Sequence, residues 1–192
     1  MISILVAKVI INTMPKYIAF LRAINVGGHT VKMDHLRRLF EAIGFTNVET
    51  FIASGNVIFD STSKNTKALE KKIEDHLRKK LGYDVKIFIR STAEVAAIAK
   101  YKPFADSELN TKGNMLYIGF VADKPGNEAK QKLLSSATKT DEFLISEREV
   151  YWLCRKMFHE SKFSGGLLEK ILGTPATFRN STTIRKIAAK YS

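Results

Sequence analysis

The residues best suited to chemistry in this 192-residue sequence fall in two polar segments. The first combines Arg22, Asn25, Gly27 and Gly28 with Ser54 and Asn56. Glycine amides beside a helix start offer donors to an anion, and a guanidinium offers a two-pronged fork, so this set reads as a small anion or phosphate pocket. The competing reading is structural. Asn and Ser next to Gly are what tight turns require, and Arg22 would then pair with a nearby carboxylate or carbonyl. The second segment holds Ser161, Lys162, Arg179 and Asn180, followed by Thr182, Thr183, Arg185 and Lys186. It reads as a phosphate-contacting stretch that runs into a helix N-terminus, or as a helix cap at Ser181 or Thr182 with a solvated basic face.

The formal net charge is +12, and from Tyr151 onward eight cations face only Glu160 and Glu169, so this stretch carries half of it. Such a field concentrates polyanions and makes association salt-sensitive. A partner bearing phosphate follows, either nucleic acid or a small anionic ligand. Neither a GK[ST] phosphate loop nor a G-x-G-x-x-G string occurs, so no nucleotide cofactor is expected. No RNP-like string appears, and Tyr17, Phe20 and Phe59 lie in strands that read as buried, which argues against an RNA-recognition sheet.

The four histidines, His29, His35, His76 and His159, form neither an HExxH pair nor a Ser/His/Asp order, and read as surface or packing residues. The single cysteine, Cys154, rules out an internal disulfide and sits with Trp152 in an apolar strand that fills core. No metal framework is indicated. A reducing cytoplasm fits this usage. The apolar run Met1–Thr13 is too short to span a bilayer and lacks the features of a signal peptide. It reads as an extension ahead of a start at Met14, with a native edge strand as the alternative.

These residues need elements to position them. Lys16 to Ile24 is a strand, and Leu36, Leu39, Phe40 and Ile43 recur at helical spacing before Gly44. Val48–Ala53 and Val57–Asp60 form a hairpin across Ser54-Gly55-Asn56, Thr66–Leu81 is an amphipathic helix, and Val85–Arg90 is a strand. The β-α-β-β-α-β order is that of ferredoxin-like folds, with the third strand between the first two and antiparallel to both. The loop Asn25–His29 and the turn at 54–56 then share one end of the sheet.

The remainder repeats the order less cleanly. A helix at Thr92–Lys100 precedes a strand at Met115–Val121, a helix at Gly126–Ala137, and a hairpin of Phe143–Ile145 with Val150–Cys154. Helices at Gly166–Leu172 and Thr182–Ala189 close it, with no final strand expected. The fold class is α+β: two ferredoxin-like halves, 14–91 and 92–192, packed together. Because strand 17–21 is apolar on both faces, the halves are expected to shield each other.

The string FLRAINVGGHTVKMDHLRRLFEAIGFTNVETFIASGNVIF, Phe20–Phe59, resembles the opening of a largely bacterial family, the domain-of-unknown-function family numbered sixteen-ninety-seven. That family reads near LLRGINVGG, M-x-x-LR, LGF and TYIQSGNVVF. From Ser161, SKFSGGLLEKILGTPATFRN resembles its later ATTRN segment. Ala23 stands where glycine is usual, Ala53 where glutamine is, Phe178 where threonine is, and Ser181 where tryptophan is. The resemblance implies two ferredoxin-like halves and no assigned reaction. Function therefore stays open between a binder of phosphate-bearing ligands or nucleic acid, an enzyme acting on a small anion at the Arg22/Asn25/Ser54/Asn56 end, and a homo-oligomeric interaction module.

Overall fold

The computed structural model describes residues 14–25, 28–52, 55–156 and 160–192. The stretch 1–13 and the expected site residues Gly27 and Ser54, together with His159, lie outside the described residues. In the first half, strand β1 (Lys16–Leu21) leads to helix α1 (Met33–Glu41), the hairpin β2 (Thr46–Thr50) and β3 (Asn56–Asp60), helix α2 (Thr66–Leu81), strand β4 (Ile87–Ser91) and helix α3 (Thr92–Lys100). After a short helix α4 (Asp106–Asn110), the pattern recurs as β5 (Met115–Phe120), α5 (Asn127–Ser135), β6 (Asp141–Ser146), β7 (Glu149–Cys154), α6 (Gly165–Leu172), β8 (Thr177–Asn180) and α7 (Ser181–Tyr191).

Two four-stranded antiparallel sheets result, ordered β2-β3-β1-β4 and β6-β7-β5-β8. Strand β8 corrects the expectation that the second half lacks its last strand. It is only four residues long and carries Arg179 at its centre, a composition that reads as a basic loop. Its pairing with β5 matches that of β4 with β1: Ile118 faces Arg179 as Ile18 faces Arg90. Each edge strand runs straight into a helix, capped by Ser91 at α3 and by Asn180 at α7. The α7 cap is thus Asn180, one residue before Ser181 and two before Thr182, the two caps expected, because its side chain is the one that accepts from the Thr182 N–H. Helix α3 stands to β4 as α7 stands to β8, so the boundary placed at residue 91 divides a strand from the helix it continues.

Strands β1, β3, β4 and β7 are buried on both faces. One face of the first sheet packs on α1 and α2 through Ala19, Leu36, Phe40, Phe59, Ile73 and Leu77. Its other face, with Ile18, Phe20, Ile58 and Phe88, meets Leu116, Ile118, Phe120 and Tyr151 of the second sheet, joined by Val95 and Ile98 of α3 and Ile184 and Ile187 of α7. The two halves therefore share a core, in which the rings of Phe20 and Phe120 stack at 4.0 Å. The outer face of the second sheet closes around Trp152 with Leu133, Phe143, Phe163 and Leu168.

The duplication extends to one buried detail in each half. Arg90 lies over the Phe120 ring and donates from Nε to Glu149 (2.6 Å) and from Nη2 to the carbonyls of Val121 and Arg148 (both 3.0 Å). Arg179 lies over the Phe20 ring and donates from Nε to Asn56 (2.7 Å) and from Nη2 to the carbonyls of Leu21 (2.9 Å) and Gly55 (3.1 Å). Each half thus inserts an arginine into the hairpin end of the other. The difference is the counter-group, a carboxylate at Glu149 and a neutral amide at Asn56. Burial pushes the Arg179 guanidinium down to about 10, and it also lowers Arg90 against the opposing pull of Glu149.

Candidate functional site: a basic groove beside the first loop

The two polar segments do converge, and they spend themselves on each other. Arg22 forks onto Glu169 of α6, from Nε to Oε1 and from Nη2 to Oε2 (2.7 Å). Glu169 also accepts from the Ala176 N–H (2.7 Å), and its carboxyl is held below the usual range because these donated bonds outweigh burial. Thr177 Oγ1 donates to the Leu21 carbonyl (3.3 Å). Arg179 spends its remaining two N–H groups on Thr177 Oγ1 (2.8 Å) and the Phe178 carbonyl (2.9 Å), so all five have acceptors within the chain. None is left for a phosphate oxygen.

Asn25 fixes the loop that follows β1. Its Oδ1 accepts from the Val31 N–H (2.6 Å) and its Nδ2 donates to the Val31 carbonyl (3.3 Å). Asn56 accepts from Arg179 and donates to the Phe51 carbonyl (2.9 Å), which holds the neck of the β2–β3 hairpin. Gly55 sits at φ 72°, and a Cβ there would come within 2.6 Å of Ile24 Cγ2, so the hairpin and the β1 loop meet at one sheet end. Leu21 N donating to Gly55 O (2.8 Å) joins them.

In the second segment, Ser161 donates to Asp141 Oδ1 (2.7 Å) and accepts from the Phe163 N–H (3.0 Å). Asp141 also receives Trp152 Nε1 (2.9 Å) and Thr140 Oγ1 (2.8 Å). Burial alone raises its carboxyl; the hydrogen bonds from Ser161, Thr140 and Trp152 win and hold it below the usual range. Lys162, Arg185 and Lys186 are the exposed cations of this segment, and no ion pair engages them among the described residues.

What the sequence reading missed is a groove of about 510 Å³ beside the same loop, lined by Gly28, His29, Thr30, Lys32, His35 and Lys80 with Val31, Leu81 and Tyr83. The β1 loop delivers Gly28 and His29, the start of α1 delivers Lys32 and His35, and the last turn of α2 delivers Lys80. Tyr83, just past the left-handed Gly82 that stops α2, anchors the wall by donating to the Ile24 carbonyl (3.2 Å) and by stacking under His29 at 3.9 Å. No carboxylate is among the lining residues. Lys32 occupies the N-cap position of α1 without a side-chain hydrogen bond, so the first-turn N–H groups of that helix have no side-chain acceptor. Two ammonium groups, two imidazoles and a helix start are an arrangement that attracts an anion. Among the described residues no group of three or more His, Cys, Asp or Glu side chains could hold a metal ion, and no helix is long and apolar enough to cross a membrane.

Two antiparallel four-stranded sheets sharing one core, with this loop at their end, define an α+β protein of duplicated ferredoxin-like halves. The chain belongs to the family described as Protein of unknown function (DUF1697), which it matches over residues 14–151. Among solved structures it is similar to the conserved bacterial protein SP0830 from Streptococcus pneumoniae, at 21% identity and a TM-score of 0.71, covering 92% of this chain and 98% of that one. That likeness concerns the fold. No curated protein sequence matches the chain.

Proposed function

We propose that the protein binds phosphate-bearing ligands, with the groove at Gly28, His29, Lys32, His35 and Lys80 as the contact site. The single observation that carries this reading is a cavity whose lining holds four nitrogen-bearing basic side chains and no carboxylate. Its position beside a helix start adds backbone donors aligned with the helix dipole. The exposed Arg185, Lys186 and Lys162 extend the cationic surface on the second half and contribute to steering rather than to a pocket. Nucleic acid is the larger ligand of this class, and a pyrophosphate-bearing metabolite the smaller one.

The Arg22/Asn25/Asn56 set supports this function indirectly, by holding the loop that presents His29 and Lys32. The experiment is a titration with inorganic pyrophosphate and with short single-stranded RNA and DNA at 50 and 200 mM salt, an interval over which phosphate contacts weaken strongly. Lys32→Ala with Lys80→Ala is expected to lower affinity about tenfold or more and to flatten the salt dependence by roughly 0.7–0.9 per lost contact. A double variant that binds as tightly as the parent protein overturns the assignment.

A further inference from the structure

The basic groove holds a feature that a bare phosphate site does not need. His29 lies flat on the Tyr83 ring, with centroids 3.9 Å apart and planes 19° from parallel. The Tyr83 hydroxyl donates to the Ile24 carbonyl, so the imidazole rests on a ring that is itself tied down. His29 is exposed, and among the described residues it makes no hydrogen bond or ion pair and touches no second ring. One face is thus taken by Tyr83, while the other is a flat aromatic surface bordering a cavity. Nucleobases stack on such surfaces whatever their hydrogen-bonding edge, because every base has a π-face.

The rest of the lining supplies what a nucleotide carries besides its base. Lys32 and Lys80 make no ion pair among the described residues. The acidic groups nearest in sequence to Lys80 and Tyr83 are engaged outside the groove: Asp75 pairs with Lys71 and Arg78, and Asp84 with Arg78. Asp34, in the first turn of α1, does not line it. Thr30 stands in the chain between the ring and Lys32, and its hydroxyl, free of hydrogen bonds among the described residues, matches a ribose hydroxyl. About 510 Å³ is the size of a small-molecule site and admits one nucleotide. A single strand of nucleic acid needs successive platforms instead. The exposed Tyr101 ring does not extend this one, since it borders a cavity that shares no lining residue with the groove.

We infer that the groove selects a nucleoside diphosphate, its base stacked on the face of His29 opposite Tyr83 and its two phosphates between Lys32 and Lys80. The inference rests on the phosphate-binding reading above and names the ligand class of that site. The donors are side chains and one ring, so it needs none of the glycine-rich phosphate strings that the sequence lacks. The probes are inorganic pyrophosphate, methyl diphosphate and ADP, titrated by calorimetry at 50 mM salt. Methyl diphosphate and ADP carry the same charged group and differ in the nucleoside. ADP should bind at least about fivefold more tightly than methyl diphosphate, the lower end of what one stacked base contributes. Its adenine proton signals should move upfield on binding, as ring stacking requires. His29→Ala should bring the two affinities together, whereas His29→Phe, which keeps a flat ring and loses the nitrogens, should keep them apart. Pyrophosphate that binds while ADP binds no more tightly than methyl diphosphate overturns the nucleotide inference and leaves the phosphate reading standing. An ADP preference that survives in folded His29→Ala, or disappears in folded His29→Phe, overturns it too. Failure of all three probes to bind overturns both.

Discussion

Replacing Arg179 by lysine separates a stapling role from a ligand-contact role. The guanidinium donates five hydrogen bonds, to Asn56, Thr177, Phe178, Leu21 and Gly55, in a buried position between the halves. An ammonium has three donors on a stem that does not present the same fork, so at least two of the five hydrogen bonds are lost. At about 1.5–3 kcal/mol for each lost hydrogen bond from a charged donor, Arg179→Lys should cost about 3–6 kcal/mol. For a chain of this size each kcal/mol moves the midpoint by roughly 2–4 °C, which gives a drop of about 6–24 °C. Urea unfolding monitored by Trp152 fluorescence, with calorimetry alongside, measures it. Because no N–H of Arg179 is left over, pyrophosphate affinity of the folded variant should equal that of the parent. Lys32→Ala should behave the opposite way, changing stability by less than about 0.5 kcal/mol, as an exposed substitution does, while weakening the anion. A cost below about 1 kcal/mol for Arg179→Lys, or a loss of affinity in its folded form, refutes the reasoning.

Three further outcomes follow from local geometry. Ala23 holds φ 59°, a left-handed conformation that disfavours a Cβ, so Ala23→Gly should stabilise the protein by about 0.5–1 kcal/mol in urea unfolding despite the added chain entropy. A Cβ on Gly119 would run into the Phe178 ring, 2.8 Å from Cζ, so Gly119→Ala should cost about 1–3 kcal/mol, and pairing it with Phe178→Thr should cost less than the sum of the two changes. The Asp141 carboxyl is held below its unfolded value, so its contribution is present above about pH 4 and is lost as pH falls through the lower folded value. Ser161→Ala should therefore lower stability at pH 7 by about 1 kcal/mol and reduce the further loss between pH 4 and pH 2.

The first half was legible because its signals are local: Leu36, Leu39, Phe40 and Ile43 at helical spacing, Gly82 as a left-handed stop, and a Gly-Asn turn between two apolar runs. Strand β8 was not legible from hydropathy, since its central side chain is a charge that only the Asn56 amide and four other oxygens in the folded chain make tolerable. The signal that reveals it is the duplication itself: Phe88-Ile89-Arg90-Ser91-Thr92 and Thr177-Phe178-Arg179-Asn180-Ser181 are two versions of one strand-to-helix junction. The polar loop residues Arg22, Asn25 and Asn56 were visible as a group, but composition cannot distinguish a residue that binds a ligand from one that braces the loop beside it. The groove escaped notice because Lys32 and Lys80 come from the start of one helix and the end of another, far apart in sequence, and because His29 and His35 match no catalytic or metal spacing.

The most direct measurement of the phosphate-binding claim is an NMR titration of the intact chain with inorganic pyrophosphate, following backbone amides. The groove predicts saturable shifts concentrated at Gly28 to Leu36 and at Lys80 to Tyr83, abolished in the Lys32→Ala, Lys80→Ala double variant. Shifts centred instead on α7 around Arg185 and Lys186, or none that saturate, would contradict it.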